Sequence, residues 1–154
     1  IKNIDSNVVF GISPQANMEN NYDEQYIDVQ KWLSQKGYVD YICPQIYYGF
    51  ENEKYPYAYT VKLWNEMITV DGIELYVGLA PYKIGKEDKW AGSGKNEWFA
   101  TTDVLKKMVV TAREASNYAG FSLYRYDYMF KPSDSGTINA QMKKEKESLQ
   151  SILK

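Results

Sequence analysis

The stretch from Tyr38 to Tyr48 constrains the fold of this chain more than any other part of the sequence. Its residues fall into two alternating sets, and both sets are largely apolar. This is the pattern of a β-strand whose two faces are both shielded from water, as in parallel sheets covered by helices. Its end differs, because Gln45, Tyr47 and Tyr48 bring hydrogen-bonding groups and flat rings to the carboxyl end. Ligands bind at that end of parallel α/β folds.

Three further strand patterns give the chain a repeating organisation. Strands begin near residues 8, 39, 74 and 119, and amphipathic helical patterns follow them at about 22–35, 58–68, 102–117 and 137–153. The order βαβαβαβα predicts an α/β fold with a parallel sheet. Because no low-complexity linker interrupts the 154 residues, we expect residues 1–154 to form a single unit.

Four βα units fit either a small doubly wound sheet or half of an eight-stranded TIM barrel. The residue sizes on the two strand faces favour the half-barrel. One face carries Gly11, Gly78 and Ser122, whereas the other carries bulky residues such as Val77 and Phe121. Small residues on one face suit a curved barrel interior that side chains of further strands help to fill.

Composition excludes several kinds of function. The net charge of -2 and pI near 5.3 give no electrostatic basis for binding nucleic acid. The chain has no His and one Cys, Cys43, which rules out a zinc site or a His-activated nucleophile built from this chain alone. Acid–base chemistry would depend on carboxylates, Tyr or Lys, and we expect no metal and no cofactor.

The two ends and the hydropathy of the chain bear on its cellular context. No apolar run approaches the roughly 18 residues that span a bilayer, so we expect no membrane span. Residues 1–5 lack the charged and apolar leader of a signal peptide. The chain also begins without Met, and we therefore expect that it was cut from something longer.

Aromatic residues are the compositional feature that points to a ligand. They make up 16% of the chain, and 15 of them are Tyr, whose flat face and hydroxyl suit carbohydrate as well as protein surfaces. Tyr82 and Lys83 follow the third strand, and Trp90 and Trp98 lie in the long loop after it. A Trp at a cleft rim stacks on a sugar ring, although either Trp would equally serve to hold the loop against the domain.

A charged segment follows the fourth strand. Arg125, Tyr126 and Asp127 stand at its carboxyl end, and Asp127 is the acidic residue that most closely follows a strand. It is therefore the best candidate in this chain for a catalytic or sugar-binding carboxylate. The alternative is an Arg125–Asp127 ion pair that only holds the loop.

Seven short motifs follow one another along the chain, namely Phe10–Pro14, Tyr22–Tyr26, Lys31–Leu33, Tyr38–Tyr47, Leu75–Gly78, Tyr82–Gly85 and Gly120–Arg125. With these motifs in this order, the chain resembles the C-terminal half of the bacterial glycosyl-hydrolase-like family 10 domain, from about residue 7 to about residue 130. The strand that ends in Pro44, Gln45, Ile46 and Tyr47 is the most specific of them.

The resemblance implies a fold, a reaction class and a location. It implies a TIM-barrel glycoside hydrolase of which this chain holds strands five to eight, in a parent protein of the cell envelope or outside the cytoplasm. The acidic pair of the family follows strand four, upstream of Ile1, so the chain would hold the substrate-binding half of the cleft and be inactive alone. The expected ligand is a glycan strand, such as peptidoglycan. The residues expected to contact it are Gln45, Tyr47, Tyr48, Tyr82, Lys83, Trp90, Arg125 and Tyr126.

Two other functions remain open, and the half-barrel has a consequence for assembly. The chain would alternatively be a non-catalytic carbohydrate-binding or interaction module with a self-contained sheet. A nucleotide-binding domain is disfavoured because no phosphate-binding glycine loop follows any strand. A half-barrel leaves sheet edges open, so we expect a homodimer or pairing with the missing N-terminal half.

Overall fold

A computed structural model describes residues 1–153 as an α/β unit. In chain order its elements are β1 (Gly11–Ile12), α1 (Met18–Asp23), α2 (Val29–Ser34), β2 (Tyr41–Ile42), α3 (Tyr57–Met67), β3 (Glu74–Leu79), α4 (Glu97–Ala100), α5 (Val104–Ala112), β4 (Tyr118–Leu123), α6 (Tyr126–Phe130) and α7 (Gly136–Gln150). Short 3₁₀ turns occupy Pro81–Lys83 and Gly92–Gly94. No helix within residues 1–153 is both long enough and apolar enough to cross a membrane.

The four strands form one parallel sheet in the order in which they occur along the chain. β1 pairs with β2, β2 with β3 and β3 with β4, all parallel. The predicted α/β class and parallel sheet are therefore confirmed. The sequential order lacks the reversal of strand order that defines a doubly wound sheet.

One face of the sheet carries the hydrophobic core. Ile42, Leu75 and Val77 are fully buried on this face. They belong to one cluster with apolar residues of the helices, among them Trp64 of α3 and Met108 of α5. The bulky face of the strands therefore packs against the helices, as the alternation of residue sizes predicts.

The opposite face of the sheet is open and lined by tyrosine. The rings of Tyr41 and Tyr76 meet edge to face with their centroids 5.4 Å apart. A side chain at Gly11 would collide with the Tyr41 ring, since a Cβ there would lie 2.3 Å from it. Gly120 leaves room for Tyr76 in the same way, at 2.9 Å. The small residues of this face thus make room for rings that lie across the sheet, next to an open cavity of about 520 Å³.

The regularly paired parts of the first two strands are shorter than the sequence pattern predicts. β1 and β2 contain two residues each, because Pro14 and Pro44 have no N–H to donate to a neighbouring strand. Pairing resumes beyond the prolines through isolated bridges from Gln45 to Gln15 and to Gly78. The polar end of the second strand pattern is therefore still held in the sheet.

Two local predictions are wrong at their boundaries. The helix predicted over 22–35 is two helices, α1 and α2, separated by a turn in which Tyr26 has a left-handed φ of 57°. Asn17 and Asp28 cap them by accepting from the N–H groups of Asn20 and Lys31. The residues between the fourth strand and the helical pattern at 137–153 were predicted to contain no helix, but they contain α6.

Candidate functional site

Four tyrosines converge at the carboxyl end of the sheet. Tyr47 stacks on Tyr124 with a centroid distance of 6.0 Å and an angle of 26°, and it meets Tyr82 edge to face at 5.8 Å. Tyr82 also lies 6.4 Å from Tyr124 and 5.8 Å from Tyr128. We call these four residues the tyrosine cluster. Its rings come from the ends of three neighbouring strands and from α6.

The sheet itself positions the cluster. Gln45 bridges to the strands on both sides, and its side-chain amide donates to the main-chain oxygen of Ser13 at 3.0 Å. This fixes the chain two residues before Tyr47. Tyr124 extends the pairing of β4, since its N–H donates to the Leu79 oxygen at 2.9 Å. The Tyr47 and Tyr124 rings therefore stand on hydrogen-bonded backbone.

A largely buried ion pair ties the loop after β3 to the end of β2. The Lys83 ammonium lies 2.6 Å from Oδ2 of Asp88 and donates to the main-chain oxygen of Tyr47 at 2.5 Å. The other Asp88 oxygen accepts from the N–H of Trp90 at 3.3 Å. Lys83, predicted to contact a substrate, thus has its ammonium engaged with protein groups, which positions Tyr47 and the Trp90 segment.

The two tryptophans of the loop have different roles. Trp90 is 91% exposed, which leaves its indole available at the rim. Trp98 is fully buried and packs in the core, so it anchors the loop. Beside it, the Glu97 carboxylate accepts from the N–H groups of Phe50 and Glu51 at 2.7 and 2.9 Å. These bonds join the loops that follow β2 and β3.

Two of the four tyrosines predicted to contact a ligand lie outside the tyrosine cluster. Tyr48 stacks on Tyr55 with centroids 5.2 Å apart, on the neighbouring loop. Tyr126 packs on Phe130 within α6, at 4.9 Å, and is 67% exposed. The structure therefore brings together Gln45, Tyr47 and Tyr82, whereas the rings of Tyr48 and Tyr126 pair with Tyr55 and Phe130 and not with the cluster.

Asp127 sits between two cations. Its Oδ1 lies 2.7 Å from the Lys131 ammonium, and its Oδ2 lies 3.3 Å from Nε of Arg125. The hydrogen bond from Lys131, supported by the charges of Lys131 and Arg125, lowers the pKa of the Asp127 carboxyl. Asp127 is therefore a carboxylate at neutral pH, which suits charge stabilisation and does not suit proton donation.

The tyrosine hydroxyls are hydrogen-bonding groups at neutral pH. Burial raises the pKa of Tyr47 to about 12, with further contributions from Tyr82, Cys43 and Tyr124. Burial also raises the pKa of Tyr82. Phenolic hydroxyls that keep their protons both donate and accept, and the ring faces offer apolar surface. The arrangement fits a sugar, which presents hydroxyls at its edge and C–H groups on its face.

Three members of this site were not identified from the sequence. Tyr124 stands at the end of a strand, as Tyr47 does, and that position was a usable signal. Tyr128 and Asp88 gave no signal, because their partners Tyr82 and Lys83 lie in other elements or across a loop turn. Within residues 1–153 no cluster of three or more His, Cys, Asp or Glu side chains has the arrangement of a metal site.

Comparison with known proteins gives matches in one family. The sequence profile of the family described as Glycosyl hydrolase-like 10 matches residues 1–93. Glycosyl hydrolase DigH of Escherichia coli K12 is 31% identical over 155 aligned residues, which cover 90% of this chain and 34% of DigH. Glycosyl hydrolase YngK of Bacillus subtilis is 34% identical over 92 residues, which cover 50% of this chain and 18% of YngK.

The chain thus spans about a third of the length of DigH, its share of that relative being 34%. The matched profile covers the first three strands, including the Tyr38–Tyr47 stretch on which the predicted resemblance chiefly depended. That prediction is confirmed. This chain belongs to the glycosyl hydrolase-like 10 family.

Proposed function

We propose that this chain forms the substrate-binding part of a glycoside hydrolase that acts on bacterial glycan strands, peptidoglycan among them. The observation that carries the proposal is the tyrosine cluster at the carboxyl end of the sheet, in a family whose relatives are named glycosyl hydrolases. Parallel α/β folds bind ligands at that end. Action on envelope glycans would place the parent protein outside the cytoplasm.

The charges near the cluster support binding more than cleavage by this chain alone. Glycosidases use two carboxyl groups, one of which donates a proton. Asp88 is held by Lys83, and Asp127 by Lys131 and Arg125. An ion-paired carboxylate is a poor proton donor. We propose that the acid pair belongs to a part of the parent protein outside these residues, with Asp127 as a nearby carboxylate that stabilises positive charge.

We further propose that β1–β4 correspond to strands five to eight of a TIM barrel and that residues 1–154 act as one unit. The sequential strand order and the open face of Tyr41 and Tyr76 support this, because a barrel interior is filled from all sides. In the parent protein the remaining strands would cover that face and the edges at β1 and β4. In the isolated chain a second copy would do so.

The assembly proposal is tested by the mass of the isolated chain in solution. Light scattering over a concentration series should give twice the 17.9 kDa mass of the monomer. A Tyr41→Asp, Tyr76→Asp double variant adds charge to the open face and should shift the equilibrium to monomer. A wild-type chain that stays monomeric at every concentration, with native circular dichroism, contradicts the proposal.

The function is tested by comparing binding with turnover. The chain should bind purified glycan strands in isothermal titration, and Tyr47→Ala should weaken that binding. Release of reducing ends should be absent with the chain alone and present with the longer protein that contains it. Turnover by the chain alone at rates typical of enzymes, about 1–1000 per second, would refute the proposed absence of the acid pair.

The same comparison decides the second candidate, a non-catalytic carbohydrate-binding module. The two ion-paired carboxylates favour it, since neither is free to donate a proton. If the longer protein binds glycan strands and releases no reducing ends, the binding-module function is supported. Turnover by the longer protein excludes it.

A further inference from the structure

A cavity with several charged side chains in its lining adjoins the tyrosine cluster. It has a volume of about 340 Å³ and lies between the 3₁₀ turn at Pro81–Lys83, α6 and the start of α7. Tyr82 and Tyr128 line it on the side of the cluster, and the cations Lys86, Arg125 and Lys131 line it as well. We call it the cationic cavity. Its volume is close to the lower end of the range of small-ligand pockets, roughly 300 Å³.

The charges of this cavity are only partly balanced by its own carboxylates. Asp127 uses Oδ1 on Lys131 and Oδ2 on Arg125, so both of its oxygens are engaged. The other acidic residue of the lining, Asp134, is exposed. Three cations therefore face two carboxylates, and an added anion would meet net positive charge.

Two cations keep donors that the protein does not use. The ammonium of Lys86 lies 5.0 Å from the centroid of the Tyr128 ring, and Cζ of Arg125 lies 5.8 Å from the same centroid. Within residues 1–153 the Lys86 side chain makes no ion pair, and Arg125 makes one, through Nε. The terminal nitrogens of the guanidinium remain available as the two-pronged donor that matches a carboxylate.

We propose that the cationic cavity binds the carboxylate of an acidic sugar residue. Arg125 and Lys86 are the donors, and the Tyr128 ring holds both cations side by side through cation–π contacts. This rests on the proposed glycan function and specifies its substrate class. Asp127 holds Arg125 and Lys131 at the site and is a positioning residue for this subsite. Two kinds of sugar supply such a carboxylate, namely uronic acids and sugars with a carboxylated ether.

The test titrates three oligosaccharides of similar length into the full 154-residue chain. Chitohexaose is the neutral probe, an oligosaccharide alternating N-acetylglucosamine and N-acetylmuramic acid carries the ether carboxylate, and a hexagalacturonate carries uronic acids. Isothermal titration at low salt should show an acidic probe binding at least tenfold more tightly than chitohexaose. Which acidic probe binds more tightly identifies the source of the carboxylate. The preference should fall in 0.5 M salt, where charge interactions are screened.

Variants separate the cavity from the rest of the site. Lys86→Gln and Arg125→Lys should each weaken binding of the acidic probe about tenfold, as expected for a hydrogen bond to a charged group, and weaken chitohexaose binding much less. Arg125→Lys keeps the positive charge and removes the two parallel N–H donors of the guanidinium. Lys62→Gln, which removes an equal charge from the exposed α3 pair with Glu66, is the matched control and should change neither affinity.

The outcomes distinguish the two levels of proposal. If chitohexaose and the acidic probes bind equally and the Lys86 and Arg125 variants change nothing, the acidic-sugar subsite is wrong while the glycan function stands. If no probe binds at either salt concentration, the proposed glycan function is wrong, and so is the acidic-sugar subsite that depends on it.

Discussion

The Lys83 ammonium lies 2.6 Å from a carboxylate oxygen of Asp88, and the same ammonium donates to the main-chain oxygen of Tyr47. Only 17% and 4% of the Lys83 and Asp88 side chains are exposed. One cation therefore joins the loop after β3 to the strand end that carries Tyr47. The position of Tyr47 therefore rests on this pair as well as on the sheet.

Removing one partner of this pair should be costly. Asp88→Asn leaves the Lys83 charge buried without a counter-charge, and we expect the free energy of unfolding to fall by about 3 kcal/mol in urea titration at pH 7. The control is Glu66→Gln, which breaks the Lys62–Glu66 pair, whose side chains are 69% and 57% exposed. That loss should stay below about 1 kcal/mol. Equal losses in the two variants would show that the Lys83–Asp88 pair is not buried in solution.

The contact between the loops after β2 and β3 gives a second prediction. A Cβ on Gly94 would lie 2.1 Å from the main-chain oxygen of Glu51, and backbone cannot move aside as a side chain can. Gly94→Ala should therefore lower the free energy of unfolding by about 1–3 kcal/mol, as overpacking does. Urea titration measures it.

Gly136→Ala is the matched control for that substitution. Nothing lies within 4 Å of a Cβ at Gly136, which begins α7. Alanine there restricts the unfolded chain and favours the helix, so stability should rise slightly, by up to about 1 kcal/mol. A Gly94→Ala variant as stable as the wild-type chain would mean that the two loops do not touch at this glycine.

The sequence left the strand order open between a doubly wound sheet and a half-barrel, but parallel pairing and the division of the sheet into a bulky and a small face were predictable from it. They depend on period-two alternation and on residue size, which are local properties of segments such as Leu75–Gly78. The helix break at Tyr26 was not predictable in this way, because the left-handed φ of 57° gives no local signal at a tyrosine. Asn17 and Asp28 were usable capping signals that the helical periodicity concealed.

The candidate site was predictable in its position and only partly in its membership. Tyr47 and Tyr82 follow strands, so the carboxyl end of the sheet could be assigned to them. The roles of Lys83 and Asp127 could not be predicted, because the sequence does not show whether a charged side chain is exposed or paired with an opposite charge. The partner of Lys83 is five residues away across a loop turn. Asp127 forms its ion pair with Lys131 because α6 brings residues four apart onto one helix face.

Alkaline pH should destabilise the fold through its buried tyrosines. Burial raises the pKa of Tyr47 and of Tyr48 to about 12, from 10 in an unfolded chain. Between pH 10 and 12 the unfolded chain releases these protons while the folded chain keeps them. The unfolded state then binds fewer protons, so the free energy of unfolding falls as pH rises.

Urea titrations at pH 8, 10 and 11 measure this dependence. The stabilisation should be complete below pH 10 and lost as pH rises through 12. Tyr47→Phe and Tyr48→Phe should each flatten the decline, since phenylalanine has no proton to release. Tyr59→Phe is the control, because Tyr59 is 55% exposed on α3. An unchanged decline in the Tyr47 and Tyr48 variants would contradict the burial of these hydroxyls.

Tyr124 supplies the sharpest test of the tyrosine cluster as a sugar-binding surface. Its ring stacks on Tyr47 and is 51% exposed, so one face is available to a ligand. Tyr124→Ala removes that face and should weaken binding of glycan fragments about five- to tenfold in isothermal titration, while Tyr124→Phe keeps the ring and should cost much less. Tyr59→Ala removes a ring of similar exposure from α3 and should leave the affinity unchanged. Equal affinities for Tyr124→Ala and Tyr59→Ala, with native circular dichroism in both, would place the sugar away from the cluster.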